Sequence, residues 1–84
     1  MKYTVVWVPA ALMELATAWS DADDRTEVAA ASDEIDHQLS MAPRLAGESR
    51  GGNLRILFAG PLAVDFEVLE EDRMVMVLSV WRPR

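Results

Sequence analysis

The sequence predicts an α+β domain in which a helical hairpin covers one face of a mostly antiparallel four-stranded sheet. Three observations carry this. The chain opens on a β-branched and aromatic run, and continues through two segments whose apolar residues recur at helical spacing. It ends in three strand-like runs separated by tight turns. The order is therefore β-α-α-β-β-β, and its simplest packing lays the two helices across one side of the sheet.

The first run, residues 2–8, is β-branched and aromatic after Lys2, and alternation puts Tyr3, Val5 and Trp7 on one face. Pro9 ends it and suits the first turn of a helix. Over about 9–20, Leu12, Leu15, Ala16 and Trp19 repeat at helical spacing and form the expected buried stripe, with Glu14 and Thr17 on the other side. Residues 20–24 are a polar break, and Asp24 with Glu27 three positions later forms a capping-box pattern. The second helix buries Val28, Ala31, Ile35 and Leu39, and stops near Ser40–Met41 because Pro43 disfavours helix just before it. Residues 42–53 hold Pro43, Gly47, Gly51 and Gly52 and read as a flexible connection. Strands follow at Leu54–Ala59, Leu62–Leu69 and Met74–Trp81, with turns at Gly60-Pro61 and Glu70-Glu71-Asp72. In the middle strand Val64, Phe66 and Val68 alternate with Asp65 and Glu67, so one face is wet. The last strand is apolar on both faces and belongs inside the sheet.

Eighty-four residues make one domain, 1–84, and 51% apolar content is enough for a single core. Without cysteine, neither disulfides nor thiolate metal sites can brace it. The N-terminal apolar run is too short for a signal peptide, and no stretch approaches a membrane span, so a cytoplasmic protein without a membrane association is expected. The net charge of −6 opposes general nucleic-acid binding. It is unevenly spread: residues 1–49 hold three basic against nine acidic groups, whereas residues 50–84 balance five arginines with five carboxylates. What local positive potential exists is therefore arginine, suited to bidentate contact with phosphate or carboxylate.

Several strings in this order resemble the RelE/ParE superfamily of toxins. They are Val-Trp-Val-Pro-Ala-Ala at 6–11, Gly-Glu-Ser-Arg at 47–50, Pro-Leu-Ala-Val-Asp-Phe-Glu-Val at 61–68, Glu-Glu-Asp-Arg at 70–73 and Val-Leu-Ser-Val-Trp at 77–81. The resemblance covers nearly the whole chain and implies the toxin of a type II toxin–antitoxin (plasmid stabilisation) system, held in check by a cognate antitoxin. It further implies a cellular target, either messenger RNA on the ribosome or DNA gyrase. Three positions depart from the RNA-cleaving pattern. Ala63 stands where a basic residue opens the middle hairpin strand, and Leu54 and Ile56 stand where lysines are common. The chain ends Trp81-Arg82-Pro83-Arg84 instead of carrying a tyrosine or histidine after the last strand, although Arg82 matches a basic residue of the family tail. Cleavage through a ribose 2′-hydroxyl needs a base, an acid and cations on the phosphate. Loss of the cation at Ala63 alone would cost about 10²–10³ in rate, as for other charge-stabilising donors.

The partner- or phosphate-binding candidates are Arg50, Arg55, Trp81, Arg82 and Arg84. The other signals read as structure. His37 is an exposed helix residue without a second ligand nearby in sequence, the carboxylates at 27–36 are a solvated helix face, and Trp7 and Trp19 belong in the core. Residues 47–52 lack the Lys-Ser/Thr pair of a phosphate loop. No metal or cofactor is expected. The favoured reading is a toxin that acts by binding, its arginines near the open sheet face and the C-terminal tail pairing with acidic antitoxin side chains, and exposed apolar residues beside them taking the antitoxin's helix or strand. The alternatives are a ribosome-dependent endoribonuclease with a rearranged arginine site and a non-toxic dimerising or regulatory relative.

Overall fold

The computed structural model describes residues 2–83. Its elements are β1 (Thr4–Trp7), α1 (Pro9–Asp21), α2 (Arg25–Met41), β2 (Glu48–Gly51), β3 (Leu54–Ala59), β4 (Leu62–Leu69) and β5 (Met74–Trp81). They build one sheet in the order β1-β5-β4-β3-β2, in which only the β1–β5 pair is parallel. Both helices lie on one side of it, and β5 runs between β1 and β4 as its two-sided apolar pattern requires.

The sheet has five strands, not four. Residues 48–51, read from sequence as flexible connection, form the edge strand β2, which pairs with β3 through Glu48↔Ile56, Ser49↔Arg55 and Gly51↔Leu54. Every residue of β2 is exposed, so Glu-Ser-Arg-Gly carries no alternation to reveal it. Its entry is fixed by Gly47, at φ +62° against the Ile56 main chain. The Arg55 guanidinium adds a clamp, donating to the carbonyls of Ala46 (2.9 Å) and Gly47 (3.1 Å).

Helix α2 buries the expected residues Val28, Ala31, Ile35 and Leu39. Helix α1 is rotated from its expected face. Ala11 is buried, Leu15, Ala18 and Ala22 pack on the core, and Leu12 and Trp19 are half exposed. The spacing 11, 15, 18, 22 is as helical as 12, 15, 16, 19, and its alanines let α1 approach β5 closely. Trp19 therefore leaves the core and stacks under the Arg25 guanidinium, 4.8 Å from its ring centre. Arg25 also donates to the carbonyls of Trp19 and Ser20, closing the end of α1. Trp7 behaves as expected, packing against the core with its indole N–H on Asp36 (3.0 Å).

Main-chain register separates the two sides of the sheet. Phe66, Val64, Val68, Val75, Val77 and Val80 face the helices and form the core. In β5 the register slips opposite Asp65 and Phe66, which pair with Ser79 and Val77. This bulge reverses the alternation after Leu78, so Val80 still reaches the core while Ser79 and Trp81 turn to the open side.

Candidate functional site

Among the described residues, no element covers the side of the sheet away from the helices. Cross-strand pairs define it: Phe58 beside Ala63 and Trp81, Ile56 beside Asp65 and Ser79, Leu54 beside Glu67 and Met76. Ile56 and Ala63 are buried yet stand outside the main core, because they are covered by their neighbours on this second face. Phe58 is 56% exposed and Leu54 42%. The result is an apolar floor flanked by half-buried carboxylates. Asp65 accepts a hydrogen bond from the Ser79 hydroxyl at 3.1 Å, and Glu48 joins from β2 opposite Ile56.

None of the residues that the β3–β4–β5 pairing places on this side is basic, and Arg50 sits at its margin in the β2 bulge, between Ser49 and Gly51. Leu54, Ile56 and Ala63, the aliphatic residues at positions where the family resemblance implies basic ones, all lie on it. A phosphate placed here would meet Asp65 and Glu67 instead of cations. At about 4 Å each such pair of like charges costs about 1 kcal/mol in water and about 4 near a protein surface.

The arginines chosen from sequence do not gather. Arg55 points to the helix side, opposite Phe66, and is spent on Ala46 and Gly47. Arg82 also leaves the open face: its guanidinium grips the Asp24 carboxylate through two bonds of 3.0 and 3.1 Å. Two strand spacings and five residues of β-rise separate these two, roughly 18 Å. Arg50 is exposed on the edge strand β2, and Arg84 lies outside the described residues. Arg55 is thus on the helix side of the sheet and not its open face, and Arg55 and Arg82 do not share one edge. Of the chosen residues, Trp81 is the one whose register places it there. The carboxylates that replace the arginines were visible as the polar half of β4, whereas Glu48 was hidden with its strand.

The Asp24–Arg82 pair also explains a missed cap. Asp24 precedes α2, but its side chain makes no capping bond and instead accepts both bonds from Arg82. The Arg82 hydrogen bonds hold the Asp24 carboxyl below its ordinary value of 3.8. A depressed acid contributes stability that is present above its ordinary pKa and lost as pH falls through the folded one. Removing Arg82 by Arg82→Gln is therefore expected to lower stability at pH 5–7, with the gap to the parent closing below about pH 4. Urea midpoints measured across that range check this, and a gap that widens in acid would contradict it.

A second polar cluster lies at the far end of the sheet. The Tyr3 hydroxyl donates to Glu70 (2.7 Å), Arg44 approaches Glu70 at 3.6 Å, and Arg73 sits 5.2 Å from the Tyr3 ring centre. The hydrogen bond to Glu70 raises the Tyr3 pKa, so the phenol keeps its proton and is a poor base near neutrality. His37 is exposed on α2, as expected. Among the described residues no three His, Asp or Glu side chains gather as metal ligands, and no helix is long and apolar enough to cross a membrane.

A two-helix layer on a five-stranded sheet in this order is the fold of the RelE/ParE toxins. The chain superposes on RelBE2, a toxin–antitoxin complex from Mycobacterium tuberculosis, with a TM-score of 0.80 at 20% identity, over 99% of this chain and 93% of that one. A chromosomal ParDE toxin–antitoxin system from P. aeruginosa matches with a TM-score of 0.73 at 16% identity, over 98% and 97%. The intact E. coli RelBE complex matches with 0.70 at 22% identity, over 98% of each chain. No family model matches the sequence, and no curated protein matches it.

Proposed function

We propose that this chain is the toxin of a type II toxin–antitoxin pair, acting in the cytoplasm by binding an essential target and neutralised by a cognate antitoxin. The observation that carries the binding mode is the open face, apolar and bordered by Asp65 and Glu67 where phosphate chemistry needs cations. The similar structures that are toxin–antitoxin complexes support the partnership. An interface wants a desolvated apolar centre with a polar rim, which Ile56, Phe58 and Trp81 with the carboxylates supply. Trp81 and Arg50 remain the sequence candidates placed to meet a partner. Arg55 and Arg82 serve the fold, which counts against a rearranged arginine nuclease.

The test is induction of the chain in a bacterial host, alone and with the product of an adjacent small reading frame. Growth arrest alone, relief by co-expression and a co-purifying complex are the expected results, without cleavage of ribosome-bound message by the purified chain. Message cleavage would restore the nuclease reading. A stable homodimer with no growth effect and no complex would instead identify a regulatory relative. If arrest occurs, loss of ATP-dependent supercoiling of relaxed DNA by gyrase in the presence of the purified chain identifies that target, and its retention points to the ribosome.

A further inference from the structure

A second surface is built at the edge of β5. Strand β1 pairs only with Met74–Val77, and the bond from the Val8 N–H to the Val77 carbonyl (3.0 Å) ends the ladder before the chain turns into α1. Strand β5 runs on to Trp81, and among the described residues no strand pairs with it on that side. Val80 stands opposite Val64, yet its amide donates to the Glu14 carboxylate at 2.9 Å. Its main-chain groups therefore point away from β4, toward the uncovered edge, as alternate residues of an antiparallel strand do. Glu14, expected from sequence on the water side of α1, occupies the place that a neighbouring strand's carbonyl would take.

Beside this edge lies an open cleft of about 740 Å³, where, among the described residues, Glu14, Asp21, Asp23 and Asp24 face the guanidinium of Arg82. Arg82 is already bound to Asp24, and the ion pairs among the described residues include neither Asp21 nor Asp23. Asp21 ends α1, where the helix dipole opposes a carboxylate, so helix stability does not account for the acidity of this rim.

We propose that this edge takes an extended, lysine- or arginine-rich segment of a protein partner as an added strand. The segment's carbonyl replaces Glu14 on the Val80 amide, and its basic side chains meet Asp21, Asp23 and the released Glu14. Main-chain bonding supplies affinity in such strand addition, and charge selects the sequence. An acidic segment or a nucleic acid would meet the same carboxylates and be repelled. Only the partner's identity as the antitoxin rests on the proposed function.

The test titrates the ¹⁵N-labelled full chain with a blocked hexapeptide, Lys-Val-Arg-Val-Lys-Val, and with Glu-Val-Glu-Val-Glu-Val. Saturable shifts of the Val80 and Arg82 amides are expected with the first, and binding at least about tenfold weaker with the second. Asp21→Lys together with Asp23→Lys should weaken the basic peptide by at least about tenfold. Asp21→Asn with Asp23→Asn should act in the same direction, less strongly, and circular dichroism should show both double variants folded. Absent binding at millimolar peptide, binding without a Val80 shift, equal binding of the two peptides, or indifference to the charge reversal each overturns the proposal. A chain that takes the basic peptide at Val80 but never arrests growth overturns the toxin reading alone. Arrest with no Val80 response overturns only the added strand.

Discussion

Replacing Gly47 with alanine is expected to cost about 3 kcal/mol of stability or more, from two separate penalties at one residue. Gly47 has φ +62°, where a side chain is strained by about 1–2 kcal/mol. A methyl group there would also overlap the Ile56 carbonyl of β3, a backbone atom fixed by its strand pairing. The overlap is relieved only by moving β2 off β3, which breaks the hairpin and the Arg55 clamp together. A domain of this size holds about 4–13 kcal/mol in all, so the variant should melt about 12–25 °C lower. Gly52→Ala is the internal control. Its φ of +56° carries the same conformational strain, but nothing stands within 4 Å of the added carbon. It should lose about 1–2 kcal/mol. Thermal and urea unfolding of the pair measures both, and equal losses would show that the close approach at Gly47 has no energetic weight.

This loop also shows where the sequence was readable and where it was not. Hydrophobic periodicity reports burial, so it found α2, β3, β4 and β5, each with a buried stripe or alternating face. It is blind to β2, whose order comes from main-chain pairing and a glycine contact. On α1 two stripes fit the helical period, and side-chain size pointed to the wrong one. The large Leu12 and Trp19 looked like core, but the short distance to β5 suits Ala11 and Ala18. The candidate site failed in a related way. Composition located the arginines but not their partners, and Asp24, Ala46 and Gly47 are 58, 9 and 8 residues away in sequence from the arginines they hold. The open face was half legible, because the alternation of Asp65 and Glu67 marked a wet side. That Phe58, Ala63 and Trp81 share it depends on strand order and on the β5 bulge, neither of which is local.

The largest functional effect is expected at Phe58. Its ring is 56% exposed on the open face, next to Ala63 and Ile56, and the helices make no use of it. Phe58→Ser should therefore leave stability within about 0.5 kcal/mol of the parent, as for most surface substitutions outside special features. In a complex, an aromatic ring over an apolar floor is the kind of residue on which binding energy concentrates, and truncation typically costs about 2–4 kcal/mol. This corresponds to a loss of about 30-fold to 1000-fold in affinity for the antitoxin, with growth arrest weakened if the target uses the same face. Leu12→Ser provides the comparison, since Leu12 is similarly exposed, at 52%, but lies in the helix layer, beside Trp19 and Val28 in the groove between α1 and α2. Calorimetric titration of each variant against the co-expressed partner separates the two surfaces. If Phe58→Ser binds like the parent while Leu12→Ser does not, the contact surface is the helical hairpin and the open face is not the interface. If only Phe58→Ser fails, the apolar floor between the carboxylates is where the partner sits.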